Sequence, residues 1–132
     1  MRKILIVEDN YMMRVFLLNY LGKTHEVKAV ETPTEAQALI TQGQHFDLIL
    51  CDYQEENTEA CQILNTLNLQ MAWSGTSLFI LTDEDKSDQR INALQTGAKD
   101  TLSKPFNPKE LTLRINSLLN QTNQFTGLRT VA

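Results

Sequence analysis

Short apolar runs alternate with stretches of helical period along this chain, and that alternation leaves few folds open. Residues 3–7, 26–30, 47–51 and 78–81 are apolar or half-apolar, with a weaker fifth run at 100–102. Continuous runs of this length suit strands buried on both faces, as in a parallel sheet. Between them lie helical stripes: Met13, Phe16, Leu17, Tyr20 and Leu21; Ala36, Leu39 and Ile40; Ala60, Cys61, Leu64 and Leu67; Ile91 and Leu94; and Leu111, Ile115, Leu118 and Leu119. Two helix starts carry their own signal. Thr32-Pro33-Thr34-Glu35 and Asn107-Pro108-Lys109-Glu110 each place a capping side chain, then Pro at the first helical position, then Glu at the third. Strict alternation with right-handed crossovers predicts a doubly wound α/β domain, a parallel sheet with helices on both faces.

The runs end in Glu8-Asp9, Asp52, Thr82 and Lys104-Pro105. In an open α/β sheet, ligands bind outside the carboxyl ends of the strands, so these residues converge on one edge. Three acids, a hydroxyl and an ammonium make a site for a divalent metal and a phosphoryl group. Two like unit charges about 4 Å apart at an effective dielectric near 20 interact by roughly 4 kcal/mol, so an uncompensated carboxylate cluster is costly and a cation relieves it.

A length of 132 residues fits one domain with a real core. With 16 acidic against 12 basic residues, direct nucleic-acid binding is not expected, because it relies on clustered Lys and Arg. No run reaches transmembrane length, and the four apolar residues after Met1-Arg2-Lys3 are too few for a signal peptide, which points to no membrane association and a cytoplasmic location. Cys51 and Cys61 match neither a zinc motif nor a disulfide framework and read as small buried residues. His25 and His45 lie near strand beginnings, away from the site edge, and read as exposed loop residues. No glycine-rich phosphate loop follows the first strand, so nucleotide or flavin binding has little support, and small-molecule enzyme activity is not expected.

Five landmarks in order, Ile6-Val7-Glu8-Asp9, residues 47–52 (DLILCD), Ile80-Leu81-Thr82, residues 93–98 (ALQTGA) and Lys104-Pro105-Phe106, make residues 3–120 resemble the receiver domain of two-component response regulators, the CheY-like family. The resemblance implies a flavodoxin-like five-stranded sheet in the order 2-1-3-4-5. It implies Asp52 as phosphoacceptor from a phosphohistidine on a histidine kinase or phosphotransfer protein. Glu8, Asp9, Asp52 and the Gln54 backbone carbonyl would hold Mg²⁺. Lys104 would pair with Asp52 and then with the phosphoryl oxygens, Thr82 would be the switch hydroxyl, and a cis peptide would precede Pro105. The implied output is a changed protein-interaction surface formed by the fourth helix, fifth strand and fifth helix, with Arg90, Ile91, Leu94 and Arg114 as contributors. A downstream protein, a fused output domain or a dimer through that face are the implied partners.

Several residues depart from the family pattern. Asp83 and Glu84 follow the switch Thr where a small residue is usual. Glu56 and Ala60 replace Pro and Gly in the loop after Asp52, and Thr101 stands where an aromatic ring usually does. These departures support an alternative, a degenerate receiver serving as a phosphorylation-independent protein-binding scaffold. Trp73, in a long crossover before the fourth strand, is either a packing residue or a partner contact. Residues 121–132 are polar without helical period and read as a fraying tail or the start of a linker.

Overall fold

The computed structural model describes residues 1–71 and 74–131, with residues 121–131 described by backbone alone; Trp73 lies outside the described residues. Ten elements alternate without exception: β1 (Lys3–Val7), α1 (Tyr11–Leu21), β2 (Glu26–Val30), α2 (Pro33–Thr41), β3 (Leu48–Asp52), α3 (Glu59–Met71), β4 (Ser77–Thr82), α4 (Ser87–Gln95), β5 (Asp100–Ser103) and α5 (Pro108–Val131). The strands form one parallel sheet, as the alternation predicts, in the order β2-β1-β3-β4-β5 that the family resemblance implies. Strand order reverses beside β1, which opens the crevice between β1 and β3 where such sheets bind ligands.

Because side chains alternate along a strand, each apolar run supplies both cores. Leu5, Val7, Ile49, Cys51, Leu78 and Ile80 face Ala36, Leu64, Leu67 and Ala93 on α2, α3 and α4. The intervening Ile4, Ile6, Leu48, Leu50, Phe79 and Leu81 face Leu17 and Leu21 on α1 and Leu111, Ile115, Leu118 and Leu119 on α5. β2, at the sheet edge, is the half-polar strand, with Glu26 and Lys28 exposed.

Side-chain caps start the helices where the sequence changes period. Asn10 Oδ1 accepts from the Met13 N–H at 2.9 Å, Thr32 Oγ1 from the Glu35 N–H at 3.2 Å, and Asn107 Oδ1 from the Lys109 N–H at 2.8 Å. The loop after β3 lacks the usual Pro and Gly and solves its geometry differently. Asn57 takes a φ of 63°, a conformation Asn tolerates, and the following Thr58 accepts from the Cys61 N–H at 3.1 Å. By contrast α4 has no side-chain cap.

Expectations at His25, Phe16 and the α4 stripe need correction. His25 is buried, 8% exposed, because the turn out of α1 folds its ring inward, where Nδ1 meets Thr24 Oγ1 at 2.9 Å. Phe16 remains 41% exposed, stacked on Tyr20, since α1 buries only the Leu17 and Leu21 side of its stripe. On α4 the expected core residues Ile91 and Leu94 are half exposed, and Gln89 and Ala93 are buried instead. The backbone of α5 continues to Val131, past the point where apolar period stops, because helical hydrogen bonding does not require an apolar face.

Phe79 is fully buried at the centre of the α1/α5 face. Phe79→Ala is expected to lower unfolding free energy by about 3–5 kcal/mol in urea titration, whereas Leu113→Ala, at an exposed position of α5, changes it by less than about 0.5 kcal/mol.

Candidate functional site

Parallel strands in register carry Glu8, Asp9, Asp52, Thr82 and Lys104 to one edge, as their positions at run ends predict. Glu8 follows β1 with its backbone N–H bonded to the Val30 carbonyl at 3.0 Å, which turns its side chain into the crevice, 1% exposed. One carboxylate oxygen accepts from the Asn10 N–H at 3.1 Å. The other lies 2.6 Å from Lys104 Nζ. The same ammonium reaches Asp52 Oδ1 at 2.5 Å, so one cation serves carboxylates from two strands. The backbone N–H of Lys104 donates to the Thr82 carbonyl at 2.8 Å, and the Lys104-Pro105 peptide bond is cis.

Glu8, Asp9 and Asp52 each offer a carboxylate oxygen, all within 4.8 Å of one another. Asp9 is exposed and faces a shallow cleft of about 290 Å³ that Glu31, Thr32, Gln54 and Glu59 also line. Gln54 turns its side-chain amide back to donate to the Asp52 carbonyl at 3.0 Å. Hard oxygen donors of this kind suit Mg²⁺ or Ca²⁺ and do not resemble a thiolate or imidazole site.

Charge is under-compensated here. Burial raises the affinity of the Glu8 carboxyl for its proton, but hydrogen bonds from Asp52, Lys104 and the Asn10 backbone outweigh it and hold Glu8 below the ordinary carboxyl range. Asp52 is pushed up to about 8, first by burial and then by its hydrogen bond to Glu8, against the pull of Lys104. Lys104 loses something to burial, yet the two carboxylates hold its proton more tightly than usual. Two acids sharing one ammonium titrate together, so the raised value belongs to the last proton of the pair. A second cation would displace that proton.

Thr82 ends β4 with 1% exposure, and its Oγ1 lies 3.2 Å from Ser103 Oγ. Beyond it, Asp83 does not swing freely over the site mouth. Its backbone N–H donates to Gln89 Oε1 at 2.9 Å, and its carboxylate accepts from Gln89 Nε2 at 3.1 Å, so a buried amide of α4 clamps both. Asn92, also on α4, donates to the Tyr53 hydroxyl at 2.8 Å, just after the phosphoacceptor candidate. Arg14 Nη1 donates to the Glu8 carbonyl at 2.9 Å and caps the end of β1.

Sequence reasoning missed Gln89, Asn92, Arg14 and Ser103. Only Ser103 had a legible signal: Thr101-Leu102-Ser103 alternates, which puts both hydroxyls on the face opposite Leu102.

Residues 4–116 match the family model of the response regulator receiver domain. Among characterised relatives, PetR of Rhodobacter capsulatus is 34% identical over 89% of this chain and 48% of its own length. The phosphate regulon transcriptional regulatory protein PhoB of Pseudomonas aeruginosa is 30% identical over 92% of this chain and 53% of its own. The chain thus spans about half the length of these relatives. The Francisella response regulator 1452 receiver domain superposes with a TM-score of 0.79 at 26% identity, covering 92% of this chain and 99% of that one. Among the described residues no helix is long and apolar enough to cross a membrane.

The shared proton makes stability depend on pH with a definite sign. Between the ordinary Asp range near 3.8 and about 8, the folded chain binds one proton more than the unfolded chain at this pair. Stability therefore falls as pH rises through that window. With chelator present, the urea midpoint of the wild type is expected to drop from about pH 5 to about pH 8 more steeply than that of Asp52→Asn, and the variant becomes the more stable protein at the alkaline end.

Proposed function

Because the chain belongs to the response regulator receiver domain family, we propose that Asp52 accepts a phosphoryl group from a phosphohistidine on a sensor kinase or phosphotransfer protein, and that this modification switches a protein-interaction surface. Family membership puts the chain in phosphorylation-dependent signalling. The observation that carries the finer reading is the Lys104 ammonium held between Glu8 and Asp52 beside a third carboxylate.

An Asp52 oxygen attacks phosphorus, an O–P bond forms, and the P–N bond to the donor imidazole breaks with its electron pair returning to the ring nitrogen. Lys104 already touches the attacking carboxylate and exchanges part of that contact for the incoming phosphoryl oxygens. Glu8, buried and ionised, keeps Lys104 charged and aimed throughout. Thr82 donates its hydroxyl proton to a phosphoryl oxygen once the group is in place. Glu8, Asp9, Asp52 and the Gln54 carbonyl would hold Mg²⁺, which supplies charge neutralisation for an anion attacking an anion. The excess of carboxylates over ammonium and the high proton affinity of Asp52 support that assignment.

Ile91, Leu94 and Arg114, on α4 and α5, are exposed and belong to the surface proposed to change. Its partner is a downstream protein or a fused output domain. Clamping of Asp83 by Gln89 favours a usable site over a blocked one, because the carboxylate is directed to α4.

Intact mass spectrometry after incubation with a small phosphodonor tests this reading. The expected result is a Mg²⁺-dependent gain of one phosphoryl group, lost in Asp52→Asn and strongly reduced in Lys104→Ala. Absence of any gain, from the small donor and from a phosphorylated histidine phosphotransfer protein alike, together with no Mg²⁺ binding by calorimetry, would leave a phosphorylation-independent scaffold.

A further inference from the structure

Thr82 is one end of a hydrogen-bonded chain that leaves the site. Its Oγ1 lies 3.2 Å from Ser103 Oγ, and Arg90 Nη1 donates to that same serine oxygen at 3.2 Å. Strand register produces the first contact: Thr82 pairs with Ser103 across β4 and β5, and paired residues of a parallel ladder project to one face. That face is the one α4 covers, so Arg90 reaches it from the helix. No carboxylate lies within ion-pair distance of Arg90 among the described residues.

The donor inventory sets the direction of the chain. A guanidinium has donors only, so Ser103 must accept from Arg90. Serine keeps one proton and one lone pair, and with Asp52 unmodified either hydroxyl can donate to the other. When a phosphoryl oxygen accepts a hydrogen bond from the Thr82 hydroxyl, one order remains: Arg90 donates to Ser103, Ser103 to Thr82, and Thr82 to the phosphoryl group. Each bond in such a series polarises the next.

We propose that Ser103 and Arg90 are positioning residues forming a polar relay from the phosphoryl group on Asp52 to α4. The inference rests on the phosphoacceptor reading and adds to it the route by which this chain, with Thr101 in place of a mobile ring, moves its output face. Helix α4 is suited to follow such a pull. It lacks a side-chain cap and buries only Gln89 and Ala93, the kind of sparse anchoring that marks an element of low local stability. Arg90 sits directly before the exposed Ile91, so displacement of the guanidinium shifts the surface a partner would meet.

Amide hydrogen exchange across residues 87–95, measured with and without the phosphoryl analogue beryllium trifluoride plus Mg²⁺, tests the relay in wild type, Ser103→Ala, Ser103→Thr and Arg90→Gln. In parallel samples given a small phosphodonor and Mg²⁺ instead, phosphoryl uptake at Asp52 is followed by intact mass. The expected result is a change in α4 exchange on modification of the wild type, loss of most of that change in Ser103→Ala and Arg90→Gln with Asp52 still modified, and recovery in Ser103→Thr. A merely structural serine would alter exchange in the unmodified protein and leave the response intact. Normal modification of Ser103→Ala with the full wild-type response in α4 overturns the relay alone. Failure of the wild type to be modified overturns the relay together with the phosphoacceptor reading.

Discussion

A single ammonium divided between two carboxylates organises the carboxyl edge of this sheet. Glu8 is almost fully buried, and an ionised carboxylate in that position is tolerated only with a charged partner and satisfied lone pairs. Lys104 supplies the first and the Asn10 N–H contributes the second. To reach both Glu8 and Asp52, Lys104 must leave β5 in one direction, with its backbone held to Thr82. Burial of Asp52 and its hydrogen bond to Glu8, against the pull of the one shared ammonium, let the pair retain a proton well above the usual carboxyl range. Structural need and chemical capacity thus have one origin.

Much of this was legible from residue order. Buried parallel strands require nearly continuous apolar runs, so run ends mark the sheet edge, and Glu8, Asp9, Asp52, Thr82 and Lys104 stand at those ends. Their meeting is a matter of register and topology: alternation gives the parallel sheet, and the family resemblance gives the strand order. Other features depend on contacts that no local pattern encodes. Gln89 is a polar residue on a helix whose apolar members, Ile91 and Leu94, look like the core stripe; it is buried because Asp83 offers it both a donor and an acceptor. His25 lies one turn beyond α1, where hydrophilicity suggests exposure and the backbone dictates otherwise.

The departures from the usual family pattern separate into two kinds once contacts are known. The β3–α3 loop turns without Pro at Glu56 or Gly at Ala60: Asn57 adopts a left-handed backbone conformation and Thr58 supplies the cap. Near β4 and β5 the change is one of means. An aromatic ring couples by volume and position, whereas Thr82, Ser103 and Arg90 stand in hydrogen-bonded series. Polar coupling is directional and short-ranged, so it depends on distances of a few tenths of an ångström in a way that ring packing does not.

Sequence separation within the charge cluster has a temporal consequence. The Glu8 and Lys104 partners are 96 residues apart, and the chain must pass through all five strands before they can meet. During synthesis the acids emerge first and the cation emerges last. A nascent or clipped chain that lacks the final strand therefore carries the carboxylates without the ammonium that balances them, and their mutual repulsion stands unrelieved until the sheet is complete.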